Sequence, residues 1–378
     1  MRTSVLVLGA GFGGLELSSR LAAQLGDQVQ ITLIDRNDSF VFGFTKLEVL
    51  FGRRDPASVK VHYRDIAHPQ VRFRQESITA IDPVAKRVTT DQGSYEADVL
   101  VVALGAAYDQ NATPGLLEAG YDIYSVPGVE RARPVLPTIT SGTVVIGVCG
   151  MPFKCPPAPS EAALLLDEQL RERGVRDQVG ITLVVPTPRP VGPSKEASER
   201  VLARFAERDI RFIGERRVTS LDPATREAVL DDGSRHAFSL FLGVPVHVVP
   251  PVVAASGLTE NGWIPVDRGT LATRFQDVYA VGDVTSVGTA KAGVFAESAA
   301  RVVADGIIAR VRGTAAPAPF DGTGACWIEL GHGQVGRVDV DFFTTPGTPI
   351  GRFVEPSAET SAEKGAFAAT RTARWLGR

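Results

Sequence analysis

Residues 4–36 read SVLVLGAGFGGLELSSRLAAQLGDQVQITLIDR, and the order of residue types along them decides the fold. Residues 4–8 are a short apolar strand and residues 9–14, GAGFGG, are a turn. Leu15, Leu17, Leu21, Ala22 and Leu25 then recur at helical spacing, and residues 30–34 form a second strand ending in Asp35-Arg36. In a βαβ unit of this kind the first glycine makes the tight turn, the second lets the backbone approach a pyrophosphate, and the last permits close helix packing. The helix N-terminus faces the anion. Asp35, about 20 residues on, stands where a carboxylate accepts ribose hydroxyls. Gly9, Gly11, Gly13, Gly14, Asp35 and its neighbour Arg36 are the expected contacts to a dinucleotide.

Further along, residues 71–81 and 87–90 read as strands, and residues 98–104 as a buried apolar strand closing on Gly105. Residues 110–137 read as a linker-rich crossing into a second unit. There, strands at 143–147, 180–186 and 210–213 alternate with helices at 160–173 and 195–208, the pattern of a second parallel sheet. The chain returns at about residue 258, with short strands at 263–267 and 278–283, the latter ending in Gly282-Asp283, and an apolar helix at 291–312. After a Pro- and Gly-rich link, strands at 326–329, 336–343 and 351–354 precede a modest helix at 362–376. The expectation is an α/β protein with two Rossmann-like domains, the second inserted in the first, and a small C-terminal α+β segment. Its parts are 1–110, 111–257, 258–313 and 314–378.

A length of 378 residues suits two or three domains, and 38 Gly among 44% hydrophobic and 22% charged residues describes a globular protein with many strand-to-helix turns. The net charge of −3 gives no reason to expect nucleic acid as a partner. The first residues enter a strand directly with no basic and apolar leader, and no run of ~18 apolar residues occurs. A cytoplasmic location follows, with peripheral contact on the cytoplasmic face of the membrane and a homodimer both left open. Three cysteines without metal-ligand spacing imply no metal and no structural disulfide framework, so any cysteine chemistry should be redox or nucleophilic.

That chemistry points to residues 144–161, VVIGVCGMPFKCPPAPSE. The stretch begins like the first strand of a nucleotide-binding unit, but Met151 and Pro152 replace the close-approach glycine and the helix start. NADH is therefore disfavoured as a tightly bound substrate. Cys155 lies in a rigid proline turn beside Lys154, a cation of the kind that lowers a thiol pKa.

GAGFGG with Asp35, the Gly105 strand end and the 278–286 run VYAVGDVTS resemble, in order and over nearly the whole length, the two-dinucleotide flavoprotein disulfide-reductase superfamily. Within it, KCPPAP at 154–159, VPVHVVPPVV at 244–253, KAGVFAE at 291–297 and Cys326 are similar to sulfide:quinone oxidoreductases and the flavoprotein of flavocytochrome c sulfide dehydrogenase. The resemblance implies FAD as cofactor, with Asp283 on a ribityl hydroxyl and Gly105 and Gly282 at the nucleotide edge. It also implies a Cys155–Cys326 pair near the flavin ring, oxidation of sulfide or a related sulfur nucleophile, and a quinone as acceptor. Ser160 departs from the family, which commonly has tyrosine there. The alternatives are another thiol, persulfide or soluble carrier as reactant, an enzyme like type II NADH dehydrogenases, and a flavin-binding redox sensor.

Several residues carry two readings. Cys149 is a packing residue, a partner of Cys155, or a third sulfur. Glu161 is a helix-start acid or a proton acceptor near the cysteines. His247 is a proton-transfer group or a buried structural histidine. Lys291 is solvated or, as the resemblance implies, catalytic, stabilising the reduced flavin ring. Of Phe342 and Phe343, adjacent on a strand, at most one flanks a quinone.

Overall fold

Strand β1 (Thr3–Leu8) pairs in parallel with β2 (Val29–Asp35), Thr3 opposite Val29 and Leu8 opposite Ile34, and helix α1 (Phe12–Leu25) makes the crossover. The computed structural model describes residues 2–345 and 347–377. β3 (Val71–Gln75) and β4 (Val99–Val102) join in parallel on either side, and β10 (Val278–Ala280), from far along the chain, completes the sheet in the order β10-β4-β1-β2-β3. All four residues of β4 are buried because both sheet faces are covered.

The second parallel sheet has the order β5-β9-β6-β7-β8. Its strands are β5 (Gly120–Asp122), β6 (Gly142–Val148), β7 (Val179–Val184), β8 (Ile210–Ile213) and β9 (Leu240–Val244). Helices α2 (Ala158–Glu172) and α3 (Lys195–Glu207) are its crossovers. Where the chain passes between the sheets, out and back, Ala107–Asp109 pairs antiparallel with Val246–Val248.

Each sheet carries the same appendage, a three-stranded antiparallel meander: Ile78–Asp82, Arg87–Thr90 and Ser94–Glu96 in one, Val218–Asp222, Glu227–Leu230 and Arg235–Ala237 in the other. The two coincide in detail. Asp82 caps its turn by accepting the Val84 and Ala85 N–H groups, and Asp222 does the same for Ala224 and Thr225. Lys86 and Arg226 take φ of +51° and +54° at the same point, and both first strands carry a register shift, at Ile78/Ala80 and Val218/Ser220. The two units are thus repeats well beyond their parallel strands.

Helix α4 (Gly293–Arg312) packs on α1, with Leu17, Leu21, Ala300, Val303 and Ile307 in one apolar cluster. The C-terminal segment is an antiparallel sheet of β11 (Thr323–Glu329), β12 (Val335–Asp341) and β13 (Ile350–Val354), followed by α5 (Ala358–Leu376). α5 is latched onto α1 and α4 by two buried acids. Glu16 accepts from Arg301 at 2.7 Å, Arg374 at 2.7 Å and the Trp375 indole at 2.7 Å. Glu297 accepts from Arg301, from Arg371 at 2.7 Å and from Arg374 at 2.6 Å. Arg371 and the partly exposed Arg374 thus direct their guanidinium groups to these two acids. No helix among the described residues is long and apolar enough to cross a membrane.

The strands between Val218 and Val244, including β9, have no counterpart in the sequence expectation, and four other elements differ from it. The single strand at 71–81 is two strands in different sheets, because the buried Glu76 breaks the run, its carboxylate taken by Thr90 and Tyr95 hydroxyls at 2.6 Å. Residues 263–267 make isolated bridges rather than a strand, with Pro265 lacking a donor. The crossing at 110–137 contains edge strand β5 and helix Val126–Ala132. α5 starts at Ala358, four residues early, on a capping box between Ser357 and Thr360.

Burial pushes the Glu16 carboxyl up, and the hydrogen bonds from Arg301, Trp375 and Arg374 reverse this and hold it below the ordinary carboxylate range. A depressed native pKa contributes stability that is present above the unfolded value and lost as pH falls through the folded one. Glu16→Gln should cost about 2 kcal/mol, less than a fully buried pair because Arg301 and Arg374 are near 40% exposed. Denaturant unfolding followed by tryptophan fluorescence checks this, with the difference between variant and native shrinking below about pH 4.

Candidate functional site

The first glycine turn has the shape its sequence requires. Gly9 sits at φ +96°, where a Cβ would lie 2.5 Å from the Ala103 carbonyl oxygen, and a Cβ on Gly14 would lie 1.9 Å from the Gly9 oxygen. A Cβ on Gly13 would meet Val281 at 2.8 Å, whereas Gly11 has nothing within 4 Å and leaves the backbone open to a ligand. α1 begins at Phe12 with no side-chain cap on its first donors. Asp35 accepts the Ala10 N–H at 2.8 Å and holds Asn37 through its other oxygen, so the strand-end acid also fixes the loop. Arg36 is exposed at this edge. Gly105 and Gly282, at φ +64° and +77°, end the two adjacent strands.

Three lysines, Lys291 buried and Lys154 and Lys46 half-buried, gather beyond Gly282. Lys291 donates to the carbonyls of Asp283 at 2.6 Å and Thr285 at 3.2 Å, with its nitrogen 3.3 Å from the Trp263 ring centre. Lys154 donates to Ala106 O at 2.8 Å and lies over the Tyr108 ring, and Lys46 donates to Tyr124 O. All three take backbone carbonyls as acceptors. Burial pulls Lys46 and Lys291 down to about 8. Burial also raises the Asp283 carboxyl, against the pull of Lys154, Lys291 and Lys46, and that carboxylate has no hydrogen-bond partner among the described residues. An open pyrophosphate cradle, an unpartnered acid and cations in series fit a flavin dinucleotide whose ring becomes anionic on reduction.

Cys155 stands at the start of α2 in a left-handed conformation, φ +45°, uncommon for any residue but glycine. Its backbone is held on both sides: the N–H donates to Lys291 O at 2.8 Å, and the carbonyl accepts from Ala158 N–H at 2.9 Å and the Tyr124 hydroxyl at 3.3 Å. Lys154 and Lys291 form a parallel bridge, so the proline turn of one unit is stitched to the helix entry of the other. Cys326 comes from β11 of the C-terminal sheet. Both thiols are free, and the charges of Cys326 and Glu161 act on Cys155. Although Cys155 as a residue is exposed and Cys326 half-buried, the protein packed around their sulfurs desolvates both thiols and pushes them up, Cys326 to about 12, with Glu161 adding to each.

Glu161 is not a cap for its own helix. Its carboxylate accepts the Glu329 N–H at 2.9 Å and lies 3.5 Å from the Lys364 ammonium, which also binds Glu329 at 2.6 Å. Lys364, on α5, and the Ala158 N–H are the groups that pull the Cys155 thiol down. Lys154, the sequence neighbour, is turned away to Ala106 because its backbone sits in the bridge to Lys291. The cation for the cysteines was therefore misplaced in the sequence. Lys364, Lys46 and Tyr124 carried no local signal, since each reaches the site only through the folding of distant segments.

The proline turn also explains the fate of the second nucleotide motif. Pro156, Pro157 and Pro159 have no N–H, Ala158 donates to Cys155, and Ser160 and Glu161 donate to Pro157 O. The donors that would face a pyrophosphate are removed or already used. Gly147 and Gly150 serve packing, a Cβ on them meeting the Phe241 ring at 2.6 Å and Val246 at 3.0 Å. Cys149 is buried in the apolar cluster with Val145, Val218 and Phe241, its thiol pushed up to about 12 by burial, which supports the packing reading. His247 is buried, with Nδ1 on Pro245 O at 2.8 Å and Nε2 facing the Lys154 N–H at 3.3 Å. Burial and Lys154 take it down to about 3, so it stays neutral and structural. Phe342 packs on Phe295 and Phe343 on Phe320, in separate clusters, as their alternation requires. No group of residues able to hold a metal ion occurs among the described residues.

The chain is 24% identical over 365 residues to a mouse protein named as mitochondrial sulfide:quinone oxidoreductase, which covers 90% of this chain and 79% of that protein. A type II NADH:quinone oxidoreductase of Staphylococcus epidermidis is 35% identical, but over 134 residues, 33% of this chain and 32% of the relative. Among solved structures, the sulfide:quinone oxidoreductase of Aquifex aeolicus superposes with a TM-score of 0.86 at 24% identity, covering 99% of this chain and 92% of that one. That likeness establishes the fold. The family model for pyridine nucleotide-disulphide oxidoreductase matches residues 3–300. With that match and the two repeated parallel sheets, the chain belongs to the pyridine nucleotide-disulphide oxidoreductase family.

Proposed function

We propose that this protein is an FAD-dependent oxidoreductase that oxidises sulfide, or a closely related sulfur nucleophile, through Cys155 and Cys326 and passes the electrons to a quinone. The observation that carries the reading is the conversion of the second nucleotide loop: a strained Cys155, stitched to Lys291, replaces the phosphate-binding turn, with Glu161 acting on both it and Cys326. The long similarity to proteins named for sulfide and quinone supports it. Gly9, Gly11, Gly13, Gly14, Asp35, Arg36, Gly105, Gly282 and Asp283 are the residues that would hold FAD.

The sulfur chemistry needs only the two cysteines and a base. Hydrosulfide attacks one sulfur of a Cys155–Cys326 disulfide, breaking that bond, forming a persulfide, and releasing the other cysteine as a thiolate. A second hydrosulfide or a thiol takes the outer sulfur, leaving one thiol and one thiolate. Re-forming the disulfide gives up two electrons and one proton, and Glu161, whose charge acts on both thiols, would take the proton. Bound FAD supplies the two-electron relay to quinone, which takes up two protons as it is reduced. Lys291, Lys154 and Lys46 set a positive field beside Asp283, favouring an anionic reduced ring. A quinone acceptor implies peripheral contact with a membrane, and the charges of Arg371 and Arg374 on α5 are already paired with Glu16 and Glu297.

The enzyme should bleach its flavin on anaerobic addition of sulfide and recover its colour with a short-chain quinone; an unbleached flavin overturns the reading. Cys155→Ser should slow reduction by sulfide about a thousandfold or more, whereas Cys149→Ser should leave it unchanged. NADH tests the rival reading as a type II NADH dehydrogenase. It should not reduce the flavin at a comparable rate, because the α2 start has no free donors for its pyrophosphate.

A further inference from the structure

The C-terminal helix places one charged group into the cysteine site. Lys364 lies on the inward face of α5, between Thr360 and Phe367, which are both buried. Its side chain is 11% exposed, and its ammonium is shared between Glu329 at 2.6 Å and Glu161 at 3.5 Å, whose side chains are 18% and 4% exposed. The Glu329 backbone N–H completes the contacts to Glu161 at 2.9 Å.

We propose that Lys364 is a positioning residue for the cysteine site: its ammonium holds Glu161 as a carboxylate, so that a proton acceptor stands beside Cys155 and Cys326 at neutral pH. The inference rests on the reading of Glu161 as the proton acceptor, and adds the group that keeps it competent. An isolated carboxylate so deeply buried would hold its proton and could accept none. The groups facing the ammonium include few alternatives. From α2 come Glu161 and, at a distance, Glu168, which pairs with Arg53 at 3.1 Å. From β11 comes Glu329, also paired with Arg53 at 3.3 Å, while Cys326 of the same strand and Tyr124 lie in the field of Glu161 itself. From the helix Thr45–Leu50 comes Glu48, which acts on Lys364 and pairs with Arg54 at 3.8 Å, and from the proline turn Cys155. Glu48 and Glu329 each have an arginine as well, whereas Lys364, though nearer Glu329 at 2.6 Å, is the cation that reaches Glu161 among the described residues. Burial leaves the Glu161 carboxyl above the ordinary carboxylate range, and Lys364 is the foremost charge opposing that rise.

Removing the ammonium should leave Glu161 protonated. In the flavin-loaded protein without sulfide, the infrared carbonyl band of a protonated carboxyl is assigned to Glu161 by its loss in Glu161→Gln. The native protein should lack this band at pH 7 and gain it on acidification. Lys364→Gln should raise the midpoint by about one to three pH units, the range for losing an opposite charge within ~4–6 Å, and Lys364→Arg should restore it. A protonated Glu161 in the native protein at pH 7, or an unchanged midpoint in Lys364→Gln, overturns the proposal, and the first of these needs no Lys364 variant to fold. The measurement uses no sulfide, so its failure is separate from a failure of sulfide to bleach the flavin.

Discussion

The 2.8 Å hydrogen bond from the Cys155 N–H to the Lys291 carbonyl joins parts of the chain that share no sheet. Cys155 leads into the first crossover helix of the second sheet, and Lys291 leads into α4, which packs beneath the first. The bond and the adjacent Lys154–Lys291 bridge fix the strained cysteine backbone and Lys291 together. A left-handed non-glycine residue persists only where its surroundings over-determine it. Here both the amide and the carbonyl of Cys155 are engaged.

Parts of the molecule built from local rules were legible in the sequence. GAGFGG between two apolar strands specified its own turn, since three of its glycines meet backbone or side-chain atoms that a Cβ would strike. The two parallel sheets followed from alternating strands and helices. Elements too short or too polar for periodicity were lost: β5 is Gly-Tyr-Asp, and Glu76 interrupts a run that otherwise reads as one strand. The equivalence of the Asp-Pro turns at 82 and 222 emerged only from the structure, where both have the same capping and nearly the same positive φ.

The electrostatics of the cysteine site were least legible, for a specific reason. α5 carries Lys364, Phe367, Arg371, Arg374 and Trp375 on its inward side, a helical stripe in which cations alternate with aromatics. Apolar periodicity cannot register such a stripe, because the compensating acids, Glu16, Glu161, Glu297 and Glu329, lie elsewhere in the chain. Proximity in sequence favoured Lys154 as the cation for Cys155, and the backbone bridge at that residue turned it the other way.

The three prolines around Cys155 do more than stiffen a turn. An imide nitrogen cannot donate, and the neighbouring amides are bonded within the chain. No single codon change would restore a phosphate-binding helix start here. Recovering one would require several replacements together, each loosening the cysteine before any nucleotide could gain a foothold. The second unit thus keeps the parallel sheet of a nucleotide-binding fold while its helix start is committed to holding Cys155.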